Sequence, residues 1–297
     1  MARHRLTRDR IVYSLDKAHP PALEIDPGDT VVLETYDART GTIQRDQDLL
    51  DHPHPKGSNP ATGPIRVRGA EPGDALRVEI QRLDLAPQGF LAVKAGQGLL
   101  GNMARRYATR MIRIEGDTAC FGERLRFPIR PMVGVIGTAP AGEGVSTGFP
   151  GPHGGNMDNR HIAAGSRVYL PVSVPGALLG IGDVHGAMGD GEITFIGLEI
   201  CAEVTARVEL LKGKARRRPL VETPDSWITT GDHADTAQAL RLAAEEMVLL
   251  MQERMGLGFE EAYMLMSAVV DVQICQCCGP GEFPVTSRAE ISKKLMP

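Results

Sequence analysis

Two glycine-rich segments concentrate the side chains of this sequence that could do chemistry. The first is Gly151-Pro152-His153-Gly154-Gly155-Asn156-Met157-Asp158. The second runs from Gly182-Asp183-Val184-His185 to Gly189-Asp190-Gly191-Glu192. Together they hold two of the eight histidines and five acidic or amide side chains: Asn156, Asp158, Asp183, Asp190 and Glu192. Imidazole and carboxylate are the donors that zinc, manganese and iron accept. In a strand Asp183 and His185 would point to the same face, so their spacing makes a bidentate platform for a divalent cation. Glycines let backbone approach a small ligand closely. Taken singly, each segment reads as a Gly/Asp turn. As a pair around the strand-like RVYLPVSV, they read as a site. Asp37, directly after VVLETY, is a further candidate: a carboxylate at a half-buried strand end is costly unless paired or metal-bound, and ordinary if exposed.

Other matches are weaker. Gly96-Gln97-Gly98-Leu99-Leu100-Gly101 fits the dinucleotide pattern and would make the chain a nicotinamide-dependent oxidoreductase. That pattern works only inside a strand–helix–strand unit. No such alternation follows, so a Gly-rich turn is expected. Cys275, Cys277 and Cys278 lack the second Cys/His pair of a structural zinc site and are expected in a buried strand. His52 and His54 sit in the Pro-rich DHPHP and are expected to be exposed. No G-x-S-x-G elbow offers a nucleophilic serine.

The elements that must position these groups are mostly strands. Asp26-Pro27-Gly28-Asp29 precedes TVVLET and Glu71-Pro72-Gly73-Asp74 precedes ALRVEI. In both, Pro presets one φ and Gly supplies the positive one before a β-branched run. Many short runs with 34 Gly and 21 Pro predict a mainly β body. Residues 235–255 change period. Leu240, Ala243, Met247, Leu250 and Met251 form one apolar stripe, Asp235 is a candidate N-cap, and Gly256 stops the run. Residues 259–272 repeat the pattern, and Ser287 with Glu290 forms a capping box before ISKKL. The polar segment 212–234 reads as a connection. The expected division is a β body over 1–215 carrying the site and a helical portion over 216–297.

Composition limits the partners. With 33 Lys+Arg against 37 Asp+Glu and 4% aromatics, nucleic acid is not expected, since it needs a basic face. The cluster of Lys212, Lys214 and Arg216-Arg217-Arg218 reads as a solvated turn. No apolar run is long enough for a membrane. MARHRLTRDR lacks the apolar segment of a secretory signal, and five cysteines fit reduced thiols, so a cytoplasmic location is expected. Met- and Leu-rich helices point to a homodimer.

The chain also resembles the acetamidase/formamidase family. The resemblance rests on GDTVVLETYDARTG, NPATGPIRVRGAEPGDALRVEI, MVGVIGTAP, HGGNMDNR, LPVSVPGALLGIGDVHGAMGDGE and ICQCCGP, in that order. It implies a jelly-roll-like β-sandwich with C-terminal helices. It also implies hydrolysis of a small amide to carboxylate and ammonia, with a divalent metal. The matching polar positions are Asp37, His153, Asn156, Asp158, Asp183, His185, Asp190 and Glu192. Amide hydrolysis without a recognisable Ser or Cys nucleophile is served by metal-activated water, with zinc the expected ion. His185, Asp37 and Asp158 are then expected ligands, with His153 or Asp183 completing or supporting the set. Glu192 is the expected general base and acid, with Asp190 as its substitute. Gly154 and Gly155 would offer amides to an oxyanion. A small-molecule-binding protein without catalysis, on the same fold, is the alternative.

Overall fold

The computed structural model describes residues 1–54, 56–279 and 283–296. Pro55 of DHPHP and Pro280 of ICQCCGP lie outside the described residues. The chain is mostly strand, with two helices near its C-terminus.

The nine-stranded sheet runs in the order Arg3–Leu6, Thr30–Thr35, Ala202–Leu211, Ala75–Leu85, Arg167–Pro171, Leu220–Glu222, Ser226–His233, Val285–Ser292, Val270–Gln276. A seven-stranded sheet has the path Pro150–Gly151, Gly154–Asn156, Met132–Gly137, Leu179–His185, Ala61–Val67, Ile11–Val12, with Leu23–Ile25 also beside Ala61–Val67. One core joins them: Val31, Leu33, Val78, Ile80, Val204 and Val208 from the first sheet meet Ile65, Val133, Ile136, Ile181 and Val184 from the second. Leu179–His185 is buried at every residue, as a central strand covered on both faces must be. Asp183 and His185 are therefore carried into the interior by a strand whose other residues are Leu, Gly, Ile and Val.

Both Pro-Gly-Asp turns form as the residue types dictate. Gly28 and Gly73 have φ of 94° and 98°. The carboxylate of Asp29 accepts the Asp26 amide at 3.1 Å, and that of Asp74 accepts the Glu71 amide at 2.9 Å. Helix α1 (Thr236–Met255) starts where Asp235 accepts the Gln238 amide at 2.9 Å and ends at the left-handed Gly256. It buries Ala243, Met247, Leu250 and Met251 against Trp227, Ala289 and Ile291 of the large sheet, and each large apolar side chain so buried contributes about 1.5–3 kcal/mol.

Several expectations need correction. Helix α2 (Phe259–Val269) stops short of 272, and the chain turns into the strand Val270–Gln276. Only the first of the three neighbouring cysteines, Cys275, lies in that strand; Cys277 and Cys278 follow it, buried. Ser287 and Glu290 cap no helix: they lie in the strand Val285–Ser292. Alternation wins there, since Val285, Ala289 and Ile291 face apolar clusters while Ser287 donates to the Ala239 carbonyl at 2.7 Å. The segment 212–234 is not mere connection: Leu220–Glu222 and Ser226–His233 pair antiparallel across a turn in which the Thr223 hydroxyl accepts the Ser226 amide. Strands of the 216–297 portion thus continue the same sheet as Arg167–Pro171. As expected, Gly96–Gly101 forms turns, and the next helix in the chain is α1.

Candidate active site

Four carboxylates and one imidazole converge in the interior. Ligand atoms of Asp158, Asp183 and His185 lie within 4.8 Å of one another, as do those of His185, Glu192 and Glu199. All five residues are at most 7% exposed. His185 Nε2 lies 3.2 Å from Glu199 Oε1 and 3.7 Å from Asp183 Oδ1. Neither approach is a hydrogen bond, and among the described residues Asp158 Oδ1, Asp183 Oδ1 and both ring nitrogens of His185 have no hydrogen-bond partner.

The backbone is bent to make this cluster. Of eight described non-glycine residues with positive φ, three belong to it: Asp158 (42°), Asp183 (53°) and Glu192 (41°). Such conformations cost energy and persist where the surroundings over-determine them, typically at functional sites. Two glycines make the room. A Cβ on Gly134 would stand 2.6 Å from Asp158 Oδ1 and 2.8 Å from the Asp183 carbonyl oxygen. One on Gly197 would stand 2.7 Å from His185 Cγ.

Electrostatics follow from crowding. Burial, reinforced by Glu199, pushes the Asp183 carboxyl up to about 6. Burial pushes Asp158 up to about 7; the His185 ring opposes this and Asp183 adds to it. Glu192 is raised well above the carboxylate range by burial and then by Asp158. His185 is raised although burial disfavours its charge, because Glu199 and Asp183 outweigh that cost. Gln276 donates to Asp158 Oδ2 at 2.5 Å, and the Cys278 thiol lies 3.9 Å from Glu192. The arrangement is an excess of buried anion with unused lone pairs on converging oxygens and nitrogens. A divalent cation fits that donor set.

The family model described as acetamidase/formamidase matches residues 14–147 and 141–280. The chain belongs to the acetamidase/formamidase family. Among solved structures, an acetamidase from Bacillus halodurans superposes with a TM-score of 0.94 at 38% identity, covering 98% of both chains. A predicted acetamidase/formamidase from Thermoanaerobacter tengcongensis gives 0.95 at 36% identity, over 99% of this chain and 97% of that one. The acetamidase of Mycolicibacterium smegmatis is 26% identical over 87% of this chain and 86% of its own length. A relative from Schizosaccharomyces pombe is 32% identical over 65% of this chain, which spans only 62% of that protein.

In this acetamidase/formamidase chain, some expected site residues stand apart from the cluster. Asp37 is buried, but its Oδ1 accepts the amides of Arg39 (2.8 Å) and Gly41 (3.0 Å), and the Cys201 thiol lies 3.5 Å from Oδ2. It caps a turn beside the cluster, which explains its burial without a metal. His153 is outside both ligand groups; burial lowers its ring to about 4 and its Nε2 is unpartnered. Asp190 is held by Arg288 at 2.7 and 2.9 Å and by Arg160 at 3.1 Å, which overcome burial and lower its pKa. A carboxylate fixed as an anion by two guanidiniums is a poor proton shuttle. Gly154 and Gly155 have strands on both sides, so their amides lie in the sheet plane, toward neighbouring strands rather than an oxyanion.

Two contributors are not among the residues expected from sequence. Glu199 lies in EITFIGLEI, whose alternation reads as a strand and draws the eye to the apolar positions, but which forms turns and an isolated bridge instead; a carboxylate between Leu198 and Ile200 is itself a signal of a buried polar role. Gln276 stands between two cysteines, whose own chemistry masks it.

Proposed function

We propose that the protein hydrolyses short linear amides of the formamide and acetamide type to a carboxylate and ammonia, using a divalent cation held by Asp158, Asp183 and His185 with Glu199 beside them. The observation that supports it most is the set of buried, unpartnered ligand atoms on these residues. Such an ion, when held there, supplies Lewis-acid charge that makes water a stronger acid and polarises a carbonyl oxygen. Zinc is the ion expected; one imidazole among carboxylates also suits manganese.

The chain's own residues do the rest. Glu192, buried and raised in pKa, is a strong base when ionised and gives its proton up late. It takes the proton of the attacking water as the new C–O bond forms. It then delivers that proton to the nitrogen as the C–N bond breaks, so that amide and water leave as acid and ammonia. Glu199 and Asp183 place negative charge beside the His185 ring. Gln276 holds the Asp158 carboxylate. The apolar strand around Asp183 and His185 excludes bulk water.

Ammonia release from formamide and acetamide by the purified protein, with and without a chelator, tests the reading. Release that is lost on chelation and restored by zinc is expected. Full activity in a protein shown by elemental analysis to be metal-free would overturn the metal, and no release from either amide would overturn the substrate class in favour of binding without catalysis. No described helix is long and apolar enough to cross a membrane, and all five cysteines are free, in keeping with action in the cytoplasm. Leu249, Phe259, Tyr263 and Met264 are exposed on α1 and α2 and fit the expected homodimer; a monomer by light scattering would remove it.

A further inference from the structure

Beside the acid cluster lies a solvent-open cavity of about 220 Å³ whose charge is opposite. Its wall includes Arg39, Lys94, Asp51, His52, Gln97 and Tyr107. Arg39 is 8% exposed, its Nη2 donates to the His52 carbonyl at 3.0 Å, and its Nε is buried without a partner. Lys94 stacks its ammonium 4.4 Å above the Phe195 ring. Burial, followed by the charge of Arg39, lowers its pKa, with Glu199, Cys278 and Glu192 acting the other way. The lone carboxylate in the wall, Asp51, lies 2.5 Å from His52 Nδ1, and Arg39 faces first Asp37, behind the wall, and then Asp51. Two cations brought together at a partly desolvated wall repel each other unless an anion lies between them.

We propose that Arg39 and Lys94 form a subsite for a small carboxylate in this cavity. A guanidinium presents planar donors that match a carboxylate, and the ammonium adds a compact charge. The Tyr107 hydroxyl and Gln97 amide offer further polar contacts from the same wall. The subsite lies next to the acids through the Ala38 amide, which donates to Glu199 at 3.3 Å. Its part in turnover rests on the amide-hydrolysis reading. The substrate amide is neutral and the product acid is an anion, so a positive cavity beside a negative cluster draws the product away from the acids. Two sources supply such a carboxylate: that product, or an amide substrate that carries an acid group of its own.

Binding is tested without turnover. Acetate and formate are titrated into the wild-type protein, Lys94→Met and Arg39→Lys by calorimetry, in the presence of a chelator so that a metal cannot hold the anion. Saturable binding in the wild type, weakened about tenfold or more in Lys94→Met, is expected from loss of one charge-assisted contact. Equal binding by wild type and both variants, or no binding by wild type, overturns the subsite. Among the described residues the Lys94 side chain makes no backbone bond of the kind that ties Arg39 to His52, so its variant keeps the test valid if Arg39→Lys misfolds. Ammonia release separates the two sources. Acetate inhibition of acetamide turnover, relieved in Lys94→Met, marks the product. A kcat/KM for succinamate above that for butyramide, reversed in Lys94→Met, marks an acid-bearing substrate. If no amide is turned over but acetate binding still depends on Lys94, the amidase reading fails and the subsite stands. Normal turnover with acetate binding indifferent to Lys94 overturns the subsite and leaves the amidase reading in place.

Discussion

Asp190 and Glu192 are two residues apart in one Gly-Asp-Gly-Glu turn, yet their environments are opposite. Asp190 is clamped between Arg288 and Arg160 and its pKa falls. Glu192 meets Asp158, Glu199 and Asp183, with His185 the one opposing ring among its main charged neighbours, and its pKa rises well above the usual range. Arg288 is fully buried and reaches Asp190 from the strand Val285–Ser292, so that pair ties the turn to the large sheet. Among the described residues the acids around Glu192 have no such guanidinium. A carboxylate that has its counter-charge inside the fold serves the fold. Carboxylates that lack one are available to a cation, a proton or a substrate.

The largest effects separate these two acids. Glu192→Gln is expected to lower the rate of ammonia release by about 10²–10⁴-fold, the usual worth of a positioned proton-transfer group. Its melting temperature should hold or rise, because a crowded buried acid is neutralised. Asp190→Asn should keep turnover within a few-fold but cost about 1–3 kcal/mol of stability, because buried Arg288 loses its nearer charged partner and keeps only Glu290 at 3.9 Å. Steady-state rates and urea midpoints on both variants check this. Equal rate losses in the two would erase the distinction.

A second contrast is between glycines. Gly134→Ala would place a methyl 2.6 Å from Asp158 Oδ1 and 2.8 Å from the Asp183 carbonyl oxygen, whereas a methyl on Gly189 meets nothing within 4 Å. Overpacking of this kind costs about 1–3 kcal/mol. The Gly134 variant should therefore lose stability and zinc affinity together, while Gly189→Ala changes neither. Urea titration and competition against a chelating dye measure both. Unchanged zinc affinity in Gly134→Ala would separate the pair Asp158–Asp183 from the metal.

Legibility in the sequence follows local physics. The Pro-Gly-Asp turns, α1 with its Asp235 cap and Gly256 stop, and the mainly β character are set by neighbouring residues and can be read directly. The same local logic picks out Asp158, Asp183, His185 and Glu192 as candidates, and the fold brings them together. It fails where long-range packing decides. Ser287 and Glu290 satisfy a capping pattern, but strand pairing with Ser226–His233 overrides it. His153 and Asp190 share segments with cluster residues, yet sheet geometry and Arg288, 98 residues from Asp190 along the chain, turn them to other work. Glu199 is hidden because its importance comes from an isolated bridge between its irregular segment and His185, which no spacing reveals.

The two imidazoles give the smallest and sharpest test of the charge contrast. His185 sits among acids and its pKa is raised, whereas His153 is buried away from them and lowered to about 4. With an unfolded value near 6.5, a group depressed on folding leaves stability intact above pH 6.5 and removes it as pH falls toward 4, because the unfolded chain binds the proton first. Between pH 7 and 5.5 this amounts to about 1 kcal/mol. The raised acids of the cluster slope the other way, losing stability as pH rises, so the quantity to measure is the difference between wild type and His153→Gln. Urea midpoints at these two pH values should fall more in the wild type than in the variant by that amount. If the two proteins respond identically, His153 is protonated in the fold as it is in water, and the line drawn between the two histidines disappears.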